Sequence, residues 1–310
     1  MTHPKAPLPV VPPTFTAPKF DVTVKPAGTM NLPGYFPFYY AGIQSIWVYW
    51  RVERSLLDKY LRDKGMQPAR FSDGGDTGLV NINFFNAAAL YGFGQPGNPG
   101  VGGFNETEVN IVGYASAVEA SVPTSYTLRE FISGADQTKR IGVYRVWVAC
   151  DNAVAVAAGQ QRYFENKFLV DYAYNVPNLN NNPAQAEYQW TCSEAAGAAG
   201  TPDPDAFIYR GNVNLAGLTP VPGNPSEWID LSFDTGSQRV VASRRNYFGL
   251  VDTFFVDGAP TNPVRLEFGN SKHPMRADME RLIGNRPAFA VQRFVSAPVI
   301  AEAAPYYADL

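Results

Sequence analysis

Residues 150–170 read CDNAVAVAAGQQRYFENKFLV. One lysine, Lys167, stands among Phe164, Phe168, Leu169 and Val170, with an alanine- and valine-rich run before it. The run and the preceding VYRVWVACDN are rich in β-branched residues and read as a pair of strands over 143–164. A lysine in such a tract has two readings. Its stem can pack on apolar neighbours while the amine reaches water. Alternatively the amine is desolvated, which disfavours the ammonium, lowers its pKa and leaves a neutral nucleophile near pH 7. Such an amine attacks ketones and aldehydes to form a Schiff base.

Outward from this tract, strand signals dominate. GIQSIWVYWRV (42–52), LVNINFFNAAALYG (79–92) and FNETEVNIVGYAS (104–116) are rich in aromatic and β-branched residues. LVDYAYNV, AEYQWTCSE, FIYRGNVNLAG, WIDLSFD, YFGLVDTFFVDG and VRLEFGN add further candidates, and 288–303 reads as a final strand. Two segments have helical spacing: 53–65, with Leu56, Leu57, Tyr60 and Leu61 before Gly65, and 273–284. The 27 glycines and 26 prolines punctuate the strands. The fold class expected is mainly β (α+β): an antiparallel sheet or barrel with a few helices outside. Residues 1–34, with six prolines in the first eighteen, read as an extended arm that either wraps a neighbouring subunit or is unstructured. Residues 35–310 form one domain.

Composition narrows the function. Charged residues are 17% of the chain, and the net charge is −3. No basic cluster marks a nucleic-acid or anionic membrane surface. No apolar run reaches the ~18 residues of a membrane span, and the N-terminus lacks the apolar core of a signal peptide. The expected location is the cytoplasm. The low charge suggests surface covered by other subunits, hence a homo-oligomer. Cys150 and Cys192 read as buried thiols. GFGQPG (92–97) fits a dinucleotide fingerprint only in its glycines, because Pro96 and Pro99 prevent the helix that must follow. His3 and His273 cannot assemble a zinc set, and His273 reads as a residue near a helix cap. No metal or cofactor is expected. Glu106 and Glu108 share one face of a strand, which is either a solvated face or the wall of a cavity.

The tract 150–170 resembles the segment carrying the reactive lysine of the acetoacetate decarboxylase family, in which a glycine (here Gly159) precedes the Schiff-base lysine (here Lys167) by eight residues. GFNETEVNIV resembles the family's strand with a catalytic glutamate, matched by Glu106. IWVYWRVERSLLDKYL, NPVRLEFGNSKHPMRADM and VQRFVSAPVIAEAAPYY resemble further segments in order. The resemblance implies a cone-shaped antiparallel β-barrel with outer helices, an internal lysine and assembly into dimers or larger oligomers. It also implies a lyase that acts through an imine on a small oxo acid or other carbonyl compound. Departures stand beside it. The family's second lysine falls at Phe168, which leaves desolvation as the route to an active amine; a second carboxylate falls at Asn83, and a substrate-binding arginine falls near Ile43. Lys167 and Glu106 are thus the expected catalytic pair, with Asn83, Gln161, Glu165 and Phe168 expected to position substrate. Decarboxylation and aldolase or dehydratase chemistry use the same imine. A barrel that binds a hydrophobic small molecule without catalysis is the alternative outside enzymology.

Overall fold

The computed structural model describes residues 38–90, 102–177, 186–195, 206–224, 227–247, 249–296, 300–302 and 306–308. The proline-rich arm and the GFGQPG stretch lie outside the described residues.

Three long strands form the base of the sheet: β1 (Phe38–Glu53), β3 (Thr77–Leu90) and β4 (Gly102–Ala115), with the short β2 (Met66–Pro68) on β4. They run antiparallel, and Trp47, Asn83 and Glu108 stand side by side across them. β5 (Gly142–Cys150) continues antiparallel from β4, with a register shift at Val109/Asn110. β6 (Lys167–Asn175), β7 (Glu187–Glu194) and β8 (Phe207–Asn214) extend the sheet to one side, followed by β13 (Val264–Phe268). On the other side lie β10 (Glu227–Asp234) and β11 (Arg239–Asn246). The short β9 (Val221–Gly223) pairs with β12 (Gly249–Phe255), which pairs with β14 (Ala290–Ser296) against β1. β15 (Ile300–Glu302) and β16 (Tyr306–Tyr307) pair with β11.

The sheet as a whole is open, ending at β13 and β9. Within it the ladders β1·β3, β3·β4, β4·β5, β5·β10, β10·β11, β11·β15 and β15·β1 lead back to their start. The pairing is largely antiparallel, with two parallel ladders: β5 lies parallel to β6 and to β10.

The first of these goes with a correction to the sequence reading. Residues 143–164 are not two paired strands. β5 ends at Cys150 and is followed by helix α3 (Ala153–Arg162). Asn152 caps that helix, its side chain accepting from the backbone N–H groups of Val154 and Ala155. Alanine is the best helix former, so AVAVAAGQQR is helical despite its two valines. A parallel strand pair needs a crossover, and α3 is that crossover between β5 and β6.

The other helices are α1 (Arg54–Leu61), α2 (Leu128–Ile132) and α4 (Pro274–Leu282). α1 buries Leu57 and Leu61 and runs on through a turn to Gly65, whose positive φ of 70° suits a residue without Cβ. α4 buries Met275, Met279 and Leu282 and is capped by His273. No helix among the described residues is long and apolar enough to cross a membrane. The expected final strand is divided into β14 and β15, with 297–299 outside the described residues.

Alternation along the long strands sorts side chains onto two faces. Ile46, Val48, Trp50, Ile82, Phe84, Val109 and Ile111 belong to one apolar core. The other face carries Ser45, Trp47, Tyr49, Asn81, Asn83, Phe85, Glu106, Glu108 and Asn110, all buried. Its polar members are therefore not a solvated outer face. They look across the circuit toward Trp228 and Asp230 of β10, Arg245 of β11 and Tyr247 just beyond that strand.

Candidate active site

Lys167 opens β6, on the same face as Val148 of β5 and Glu108 of β4. Its position is held from the backbone: the Val148 N–H donates to the Asn166 carbonyl at 3.0 Å, and the Gln160 side chain donates to the Lys167 carbonyl at 2.6 Å. Between α3 and β6 the chain reverses through Phe164, which has φ = 54°, a conformation unusual for a bulky residue. That reversal brings the Glu165 N–H to the Gly159 carbonyl at 3.2 Å. Gly159 faces this turn closely. A Cβ there would collide with Glu165 Oε2 and Lys167 Cδ, so any larger residue eight positions before the lysine would have to displace them.

The amine is buried, with Lys167 only 8% exposed. It is not in apolar surroundings, as the neighbouring sequence suggested. Lys167 Nζ lies 2.5 Å from Glu106 Oε2 and 3.3 Å from Glu165 Oε2. Glu106 comes from β4 and Glu165 from the turn before β6. Glu165 also pairs through Oε1 with Arg145 of β5. Arg145 pairs in turn with Asp230 and lies 3.6 Å from Glu108. Arg245 reaches Glu108 at 3.2 Å and Asp230 at 3.0 Å. Cations and carboxylates thus alternate through the interior, and all of these residues are buried.

This order separates the two glutamates of β4. Burial alone would raise the pKa of Glu108, but the Arg245 and Arg145 guanidiniums outweigh it. With hydrogen bonds from Asn110 and Asn83 they pull it down to about 2. Glu108 is a fixed anion at neutral pH. Among the described residues the ionic partner of Glu106 is Lys167. Burial pushes the nearby Cys150 thiol up, and the Glu106 charge adds to this. Both cysteines are buried and free.

The expected positioning residues divide. Glu165 stands at the amine. Asn83 stands one step away: it donates to Glu108 at 3.3 Å and accepts from Ser45 at 2.5 Å. Gln161 is exposed on α3, and its neighbour Gln160 makes the contact with Lys167. Phe168 points to the opposite face by strand alternation, where it stacks on His273 with ring centroids 3.8 Å apart and meets the edge of Trp147. Ile43 is buried, with its N–H donating to Ser296. The buried guanidiniums come instead from Arg145 and Arg245. Neither was singled out from sequence, although Arg145 interrupts the apolar run GVYRVWVAC, and β11, which carries Arg245, has a weak strand signal.

Among the described residues no group of three or more His, Cys, Asp or Glu is arranged to hold a metal ion. A groove of about 1050 Å³ lies along β6, β7, β8 and β13, but neither Lys167 nor Glu106 lines it. A second, water-sized space is lined by Trp47, Asn83, Glu108, Asn110, Trp228 and Asp230. Chemically, a buried amine between two carboxylates can pass a proton to one of them, attack a carbonyl and retain its positive charge as an iminium.

No family model matches the sequence, and no curated protein matches it. Solved structures do. The enduracididine biosynthesis enzyme MppR complexed with pyruvate superposes with a TM-score of 0.58 at 13% identity, covering 90% of this chain and 93% of that one. The same enzyme with the condensation product of pyruvate and imidazole 4-carboxaldehyde gives 0.55, also at 13% identity, with 88% and 89% covered. An acetoacetate decarboxylase from Legionella pneumophila gives 0.52 at 10% identity, with 91% and 92% covered. The chain has the acetoacetate decarboxylase-like fold.

Proposed function

We propose that this protein is an imine-forming carbon–carbon lyase, with Lys167 as nucleophile and a small oxo acid as substrate. The observation that carries the proposal is the placement of Lys167 Nζ, buried and 2.5 Å from Glu106. Lys167 passes one ammonium proton to Glu106 and forms a C–N bond to the substrate carbonyl carbon. The C=O electron pair moves to oxygen, which takes up a proton from the newly bonded nitrogen. The proton held by Glu106 then lets that oxygen leave as water, and the iminium remains. The iminium then accepts electrons as an adjacent carbon–carbon bond breaks.

Support comes from geometry and from the fold, which is shared with a decarboxylase and with an enzyme that holds pyruvate. Aldol or dehydratase chemistry is the second reading. It is favoured by the condensation product held in that same enzyme. Cytoplasmic residence and a homo-oligomeric state belong to the same proposal, the latter resting on the sparse charge.

The test is borohydride reduction in the presence of pyruvate, acetoacetate and a panel of other oxo acids, read by peptide mass spectrometry. A reduced adduct on Lys167, absent from Lys167→Met, is expected. Labelling at another lysine, or none across the panel, would remove the enzymatic reading and leave a barrel that binds a hydrophobic small molecule.

A further inference from the structure

Lys167 touches two carboxylates, and the structure treats them differently. Glu165 is held at both ends: Oε1 by Arg145 and Oε2 by the lysine. Arg145 is itself anchored on Asp230 and Glu108. The Glu165 carboxylate and the Lys167 stem occupy the space that a Cβ at Gly159 would take. Glu106 pairs, among the described residues, with the lysine alone. A carboxylate paired with a buried guanidinium is costly to protonate, because protonation would leave that guanidinium short of its counter-charge.

We propose that Arg145 and Glu165 form a positioning arm in which Glu165 is a fixed anion that orients Lys167 and balances its charge, while Glu106 alone carries protons. This rests on the imine reading above and divides labour within it. The nitrogen is positive as the ammonium before reaction and as the iminium afterwards, and Glu165 faces it in both states. Among the groups facing Lys167 are Glu106 of β4, Glu165 of the turn, Cys150 of β5 and Gly159 of α3. Arg145 stands behind Glu165, and Arg162 lies on the same buried face of α3 as Gly159.

Two readouts test the arm. Acetic anhydride labelling of Lys167 against pH, by peptide mass spectrometry, reports the availability of the neutral amine and needs no carbonyl chemistry. Borohydride trapping with pyruvate reports imine formation. Removing one carboxylate beside an ammonium weakens the charged form. Glu165→Gln is therefore expected to move the labelling midpoint down by about one pH unit or more, or about tenfold faster labelling below the midpoint. Its maximal trapping rate at high pH should fall about tenfold, because the amine loses its orienting partner, and stay well above that of Glu106→Gln. Glu106→Gln should also lower the midpoint but cut the maximal trapping rate about 100-fold, the usual scale for a lost proton carrier. Arg145→Lys, which keeps the charge but not the fork, should lower the maximal rate about tenfold at unchanged half-saturation by misplacing the amine.

An unmoved labelling midpoint in Glu165→Gln, or a maximal trapping rate that falls as far as in Glu106→Gln, would overturn the proposal. Failure of wild type to trap pyruvate or any other oxo acid would instead strike the imine reading, and the labelling midpoints would still decide whether Glu165 governs the amine. Glu165→Gln decides the matter if Arg145→Lys does not fold.

Discussion

Replacing Glu108 by glutamine should cost stability in a way that depends on pH. Glu108 is 1% exposed and meets Arg245 at 3.2 Å, Arg145 at 3.6 Å, Asn110 at 3.2 Å and Asn83 at 3.3 Å. Its pKa falls from the ordinary 4.5 to about 2. A carboxyl whose folded pKa is depressed adds stability above its unfolded pKa and loses it as pH falls toward the folded one. The drop corresponds to about 3 kcal/mol at pH 7. That agrees with the ~3–5 kcal/mol lost when one partner of a buried ion pair is removed. At roughly 2 °C per kcal/mol for a chain of this size, Glu108→Gln should melt about 6 °C below wild type at pH 7. By about pH 3 the linkage term falls to less than half, so the two melting curves should converge. Calorimetry of both proteins between pH 3 and 7 measures this. A gap independent of pH, or a variant as stable as wild type at pH 7, would refute the picture of an ionised carboxylate that compensates two buried guanidiniums.

Gly159→Ala should leave the overall fold intact by circular dichroism but displace Glu165 and the Lys167 stem. Overpacking of this kind costs about 1–3 kcal/mol, and borohydride trapping at Lys167 should fall at least tenfold. Asn152→Ala removes the cap of α3 and should lower stability by about 1 kcal/mol in denaturant unfolding, with the m-value unchanged. Desolvation lowers the His273 pKa from 6.5, with Glu194 opposing, so the folded state resists protonation and stability should fall as pH drops below about 6.5. His273→Asn retains a capping side chain and should flatten this dependence in melts between pH 5 and 7.5.

Aromatic and β-branched content in 42–52, 79–92 and 104–116 is enough to find the three long strands, because such side chains suit a pleated, half-buried surface. The leucines of 53–61 and the His–Pro start at 273 marked two helices for similarly local reasons. Lys167, Gly159 and Glu106 could be picked out from their sequence surroundings. What could not be read there was set by pairing. Alternate valines made α3 look like a strand, since its identity depends on the Asn152 cap and on the crossover that parallel β5 and β6 demand. Alternation also put Glu106 and Glu108 on one face without saying that the face was dry. Only the return of the ladders from β11 through β15 to β1 carries Arg245 and Asp230 over Glu108, and only the reversal at Phe164 turns Glu165 back onto the amine. The chemistry of Lys167 depends on charges brought from β4, β5, β10 and β11, and side chains so distant in sequence acquire their energies of interaction only when the fold removes the water between them.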